Sequence, residues 1–337
     1  MSEPRGSGFR FILFNLILLL VTVLVCSAAL EIVLRVVFAR SLDFSMEMWK
    51  YAVQLKEPVA NSELSFVHAP NRSAFLMGVP VAINSHRLRD REYSEVKPPG
   101  MYRIVILGDS TTFGWGVRLE ETAAKILEKE LNAASLPPYR HFEVLNAGVG
   151  NYDTVQEVAH YENLDRAFRP DLVILEYFIN DAEPVPSERH MWLLDRSYLL
   201  AFSVSRFDTL MQFAGLRPRW DKYYRSLYDD SRPGFQAAKN ALGKLDGLTK
   251  QDGARLLVAI LPELHRINGD YPFTVEHQKI KDLLGSRQVP VIDLIDGLRG
   301  HGPESSLWVT PEDPHPNGKA NALIADQMLG WIKIHLR

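Results

Sequence analysis

The chain opens on an apolar run that fits no amphipathic pattern. Phe11 to Leu30 is twenty residues long and is broken only by Asn15, Thr22 and Ser27. About 20 apolar residues in an α-helix cross the ~30 Å hydrocarbon core of a bilayer. Arg5 and Arg10 precede the run, which favours a cytoplasmic N-terminus; Arg35 and Arg40 follow it and weaken that asymmetry. The run exceeds the ~7–15 residues of a signal-peptide core, so an uncleaved signal-anchor is the leading expectation. A cleaved signal peptide, with Ser27-Ala28-Ala29 as the small residues at the cut, and a buried globular helix are the alternatives. Cys26 does not read as a lipoprotein cysteine, because Val25 before it is bulky. The expectation is a cytoplasmic tail over 1–10 and a single span over 11–30 of a bacterial inner membrane. The rest would lie in the periplasm or outside the cell.

Residues 31–100 show no long period and are punctuated by Pro58, Pro70, Pro80 and Pro98-Pro99. They read as a connecting segment with short strands laid on the main domain. From residue 101 to 337 the pattern alternates. Continuous apolar runs predict strands over 102–107, 142–145, 171–177, 255–261 and 289–294. Between and after them, helical spacing predicts helices over 120–131, 154–167, 235–249 and 317–334. Buried-type strands separated by helices argue for an α/β, three-layer α/β/α sandwich with a mostly parallel central sheet. In such sheets ligands sit at the carboxyl ends of the strands. Residues 184–233 interrupt the alternation and are too long for an ordinary loop. They hold Trp192, Tyr198, Phe202, Phe207, Phe213, Trp220, Tyr223, Tyr224 and Tyr228, nearly double the chain's 10% aromatic share. Helices packed on the sheet domain, or a lid or substrate platform beside the active site, are both compatible with them.

The 337 residues are 46% hydrophobic and 23% charged, which excludes a disordered or low-complexity chain. Acidic residues number 41 against 38 basic ones, a net charge of −3, so no cationic surplus exists to track a nucleic acid backbone. One cysteine excludes an internal disulfide and Cys-rich metal sites. No histidine pair has ligand spacing with a carboxylate, and no Gly-x-Gly-x-x-Gly follows a strand, so neither a metal nor a dinucleotide cofactor is expected. Oligomeric state has no signature.

Four polar elements fall at successive strand ends. Gly108-Asp109-Ser110 follows the first strand, and a helix start there aims backbone N–H groups at a developing oxyanion. Asn146-Ala147-Gly148-Val149-Gly150 follows the second, Asn180-Asp181 the third, and Asp313-Pro314-His315-Pro316-Asn317 precedes the last helix. Each alone also reads as turn chemistry. Together they supply a serine, an amide donor, a base and an orienter, the parts of an activated nucleophile. Asp109 reads as a turn residue presenting Ser110, and Asp181 as support for its loop.

In this ordered set the sequence resembles the SGNH hydrolase superfamily, the GDSL esterase/lipase family, over about residues 84–335. The resemblance implies a flavodoxin-like SGNH fold, with Ser110 as nucleophile and His315 as general base. It also implies an oxyanion hole made by the Ser110 N–H, the Gly148 N–H and the Asn180 side chain. Gly114-Trp115-Gly116-Val117 and Pro170-Asp171-Leu172-Val173 fit the same pattern. The usual block spaces the aspartate three residues before the histidine, where this chain has Glu312; Asp313, two before, is the expected orienter and Glu312 the alternative. The implied activity is ester hydrolysis or acyl transfer through an acyl-serine. Location and family habit point to acetyl groups on carbohydrate, such as O-acetylated polysaccharide. A lipid esterase or lysophospholipase, or a non-catalytic membrane-anchored glycan-binding or assembly protein on the same fold, are the competing expectations.

Overall fold

The computed structural model describes residues 6–134, 136–185, 194–216 and 218–336. Strands β1 (Met101–Gly108), β2 (His141–Gly148), β3 (Leu172–Tyr177), β4 (Arg255–Ile260) and β5 (Val291–Asp293) form one sheet. The helices of ten residues or more are α1 (Gly6–Val37), α2 (Phe44–Leu55), α3 (Ala123–Ala134), α4 (Thr154–Asn163), α5 (Tyr198–Phe213), α7 (Pro233–Asp252), α8 (Thr274–Gly285) and α9 (Gly318–His335); α6 (Trp220–Leu227) is shorter. The chain divides into two compact units. Residues 50–185 and 218–336 form the larger; residues 6–49 and 194–216 form the smaller.

In the larger unit the sheet is wholly parallel, in the order β2-β1-β3-β4-β5. This is the doubly wound order whose switch point lies between β1 and β3. Its strands are built largely of apolar residues because both faces are covered: Ile104, Val105, Ile106, Val173, Ile174, Leu257 and Val258 are fully buried. Helices α3 and α9 pack on each other, as do α4 and α7, giving the three layers. Caps fix where these helices begin. Asp153 accepts the Gln156 N–H and opens α4; Asn317 accepts the N–H groups of Lys319 and Ala320 and opens α9. Helix α7 starts at Pro233 and stops at Gly253, whose φ of +69° ends it in the left-handed region.

The segment before β1 carries two antiparallel hairpins, Lys56–Pro58 with Phe66–His68 and Ser73–Leu76 with Val79–Ala82. It also carries part of α2, a helix that the 31–100 pattern did not predict. Tyr51 and Leu55 of α2 are fully buried.

In the smaller unit α1 is a 32-residue helix. It is the one helix among the described residues long and apolar enough to cross a membrane, with a mean hydropathy of 2.8 and none of its apolar window buried. Helix α5 packs on the C-terminal end of α1, where Leu34, Phe38, Met46 and Ala201 are buried together. Of the aromatic insertion, α5 therefore belongs to the α1 unit, whereas Leu227 and Tyr228 enter the core of the sheet unit. Trp192 lies outside the described residues.

Candidate active site

Strand β1 ends at Gly108, and Asp109 starts a single helical turn, Ser110–Phe113. Asp109 Oδ1 accepts the Thr111 N–H and the Thr111 hydroxyl, each at 2.8 Å, which holds Ser110 at the first position of the turn. Gly108 stands opposite Gly148 of β2 in the sheet register. A Cβ on Gly148 would lie 2.2 Å from Phe113 N and 2.6 Å from Thr112 C, so only glycine lets the nucleophile's turn sit on β2. The turn's far end is held by Arg89, a fully buried residue whose guanidinium donates to the carbonyls of Phe113 (2.8 Å), Gly114 (2.5 Å) and Val117 (2.6 Å). Burial pushes the Arg89 guanidinium down to about 10, and the three carbonyls accept from both of its terminal nitrogens.

Ser110 Oγ lies 2.8 Å from His315 Nε2. His315 Nδ1 lies 2.5 Å from Asp313 Oδ1, which also accepts the His315 backbone N–H at 3.1 Å. The other carboxylate oxygen, Oδ2, accepts the indole N–H of Trp115 at 3.0 Å. Burial raises the Asp313 carboxyl, but the hydrogen bond and charge of His315, its backbone N–H and the Trp115 indole outweigh this and leave it below its ordinary value. Glu312 is exposed, whereas Asp313 is buried and bonded to the ring, so Asp313, not Glu312, meets the imidazole. The hairpin Trp308–Thr310 with Asp313–Pro316 presents His315, and Trp308 stands opposite Pro316 in its register.

A serine bonded to an imidazole bonded to a buried carboxylate, at the carboxyl end of a parallel sheet, is an arrangement in which the imidazole can take the serine's proton. The sequence model of the GDSL-like lipase/acylhydrolase family matches residues 106–323, from inside β1 to inside α9. The chain belongs to this family. Solved structures similar to it include three esterases. One is a catalytic mutant of Axe2, an acetylxylan esterase from Geobacillus stearothermophilus (14% identity over 72% of this chain and 97% of that one, TM-score 0.46). Another is the psychrotrophic esterase EstA from Pseudoalteromonas sp. (19%, 69% and 98%, 0.42). A third is a two-domain esterase active on acetylated mannans (18%, 70% and 50%, 0.45). No curated protein matches the sequence. As a member of the GDSL-like family, the protein is a serine ester hydrolase.

Within this GDSL-like hydrolase, two of the residues expected at the oxyanion have hydrogen-bond partners of their own. Asn180 sits in the turn after β3 and gives one amide hydrogen to Asp109 Oδ2 at 3.1 Å. A flipped amide would set oxygen against that carboxylate, so Asp109 fixes Nδ2 toward the nucleophile's turn. Asp181 accepts the Phe178 N–H at 3.1 Å and closes the same turn. Gly148, expected as a second oxyanion donor, has an N–H that donates to Asn146 Oδ1 at 3.0 Å, beneath the Ser110 turn. Packing against the Thr112–Phe113 backbone by itself requires glycine there.

Three further residues of the larger unit escaped the sequence reading. Trp115 was visible only as part of a flanking motif, and its bond to Asp313 spans 198 residues. Arg89 and Tyr51 lie in the segment taken for a connector. Tyr51, fully buried, accepts the Gly150 N–H at 2.9 Å and packs on Phe113 and Trp115. Behind the site lies a layer of buried carboxyls. Burial pushes Glu176 up to about 7; the Thr112 hydroxyl that donates to it pulls it down and the Asp109 charge adds to the rise. Burial likewise pushes Asp153 up to about 7, and Glu157 and Asp181 well above the carboxylate range.

Proposed function

We propose that this hydrolase acts outside the cytoplasm on acetyl esters of carbohydrate, by hydrolysis or by transfer of the acyl group, held to the membrane by α1. The carrying observation is the bonded series Ser110–His315–Asp313–Trp115. Ser110 Oγ attacks the ester carbonyl while His315 Nε2 takes its proton, and Asp313 stabilises the imidazolium. The Ser110 N–H and Asn180 Nδ2 face the developing oxyanion. When the tetrahedral adduct collapses, the C–O bond to the alcohol breaks and His315 returns the proton to the departing oxygen. Acetyl-serine remains. Water or a sugar hydroxyl then attacks it by the same steps in reverse, with His315 again as base.

The carbohydrate reading is supported by an aromatic group beside the catalytic hairpin. His265 stacks on Trp220 (5.2 Å between ring centroids, 28° between planes) and meets Trp308 edge-on at 4.9 Å; all three are half-buried. Flat apolar faces next to polar atoms suit the C–H faces of a pyranose while its hydroxyls stay wet. The experiment is acetyl release from O-acetylated xylan or mannan by the full chain in detergent, with free oligosaccharide added as acceptor. Release of acetate, or acetyl transfer to the oligosaccharide, abolished by Ser110→Ala, supports the reading. Activity on p-nitrophenyl acetate and lysophospholipid with none on any acetylated glycan would replace it with the lipid-ester reading.

A further inference from the structure

Helix α5 is built inside out for a protein in water. A surface helix normally turns its apolar stripe to the core and its polar face to solvent. Here the exposed stripe is Leu200, Val204, Phe207, Leu210 and Phe213, at helical spacing, with Phe207 61%, Leu210 64% and Phe213 87% exposed. Four of its polar side chains are paired or closed on the helix itself. Arg206 is paired with Asp43. The hydroxyls of Ser203, Ser205 and Thr209 donate to the carbonyls of Leu199 (2.7 Å), Phe202 (2.9 Å) and Ser205 (3.0 Å). Closing hydroxyls onto the helix's own carbonyls is what hydrocarbon surroundings require. Thr22 within α1 does the same with Leu18 at 2.8 Å.

The level at which α5 meets α1 is fixed by one residue. Glu31 directly follows the apolar run that ends at Leu30. Its carboxylate accepts the N–H groups of Tyr198 (3.1 Å) and Leu199 (2.8 Å) and the Ser197 hydroxyl (2.9 Å), the start of α5. Arg35 pairs with Glu31 at 2.8 Å and lies over the Tyr198 ring, and Trp49 meets Tyr198 edge-on at 4.7 Å. Trp, Tyr and Arg gathered where an apolar span ends mark the membrane–water boundary. We propose that α5 is a second membrane element: its exposed stripe rests in the lipid leaflet through which the C-terminal end of α1 emerges. The occupant of this face is the bilayer itself, continuous with the lipid around α1. This inference rests on the reading that α1 spans a membrane.

The test uses the full chain in vesicles of phosphatidylethanolamine and phosphatidylglycerol. An environment-sensitive fluorophore is placed on the native Cys26 within α1. In a Cys26→Ser background it is placed at Phe207→Cys, Phe213→Cys or, as an exposed reference on α3, Lys129→Cys. Iodide quenches from water and chain-nitroxide lipids quench from the leaflet. Labels at Phe207 and Phe213 are expected to lose most of the iodide quenching seen at Lys129 and to be quenched by nitroxide lipid as Cys26 is. Iodide access at both positions equal to Lys129, with Cys26 quenched by lipid, overturns the inference and leaves the anchor standing. Lack of lipid quenching at Cys26 overturns the anchor reading, and the inference with it. Shielding of Phe207 and Phe213 from both quenchers means that protein covers the face, a second copy if the labels quench each other, and also overturns it.

Discussion

Trp115→Phe removes one hydrogen bond from the candidate triad and leaves its three members in place. The indole N–H reaches Asp313 Oδ2 at 3.0 Å, and Asp313 is buried, so the phenyl ring leaves a buried carboxylate oxygen without a donor. An unsatisfied buried acceptor costs about 1–3 kcal/mol, more when charged. If that cost falls on the state in which Asp313 faces an imidazolium, kcat/KM drops about 5–150-fold, at 1.4 kcal/mol per tenfold. The carboxyl also rises from its lowered position, since the indole is one of the groups holding it down. The assay is p-nitrophenyl acetate turnover across pH for wild type, Trp115→Phe, Asp313→Asn and the double variant. Trp115 is also fully buried against Tyr51, so the lost ring destabilises the fold through packing as well. The double variant separates the two effects: the indole's share should vanish once Asp313 is gone. A Trp115→Phe loss that is equally large in the Asp313→Asn background, or no loss at all, would refute the positioning role.

Asp313→Ala should cut kcat by about 10³–10⁴, the scale for losing an orienter, while Glu312→Ala should stay near wild type; the reverse ranking would return the role to Glu312. Asn180→Ala should lower kcat by about 10²–10³ with KM little changed, as for one oxyanion donor; a loss confined to KM would assign it to substrate binding instead. Glu176 is pushed by burial from 4.5 up to about 7. The folded state therefore holds a proton that the unfolded chain releases above its lower pKa. The associated stability is complete below about pH 4.5, is lost as pH rises through about 7, and amounts to about 3 kcal/mol at 1.36 kcal/mol per unit. Melting temperatures between about pH 5 and pH 8 should fall for wild type and fall less for Glu176→Gln; parallel slopes would contradict it.

The sheet was legible because its strands are buried on both faces and so read as unbroken apolar runs, as in Ile104 to Leu107 and Val173 to Leu175. Their observed ends fall within three residues of the expected ones. Ser110 and Asn180 were legible because each follows the end of a sheet strand, and His315 because two prolines flank it just before the last helix. What stayed hidden depends on contacts distant in sequence. Nothing local marks Trp115 as the donor to a carboxylate 198 positions on, or Arg89 as the clamp on the Phe113–Val117 carbonyls. A glycine at a strand end such as Gly148 suits both close packing and donation, so its place in the sequence did not reveal that its N–H meets Asn146. Helix α2 went unseen because its apolar positions serve two units. The aromatic count in 184–233 could not say that α5 keeps company with α1.

The central claim is that Ser110, activated by His315, forms the acyl-enzyme. Mass spectrometry of the intact full chain after reaction with a fluorophosphonate tests it most directly, in wild type, Ser110→Ala and His315→Ala. The account predicts one adduct per chain, located on Ser110 by peptide mapping, absent from Ser110→Ala and formed far more slowly in His315→Ala. An adduct on another residue, or ester turnover that survives Ser110→Ala, would contradict it.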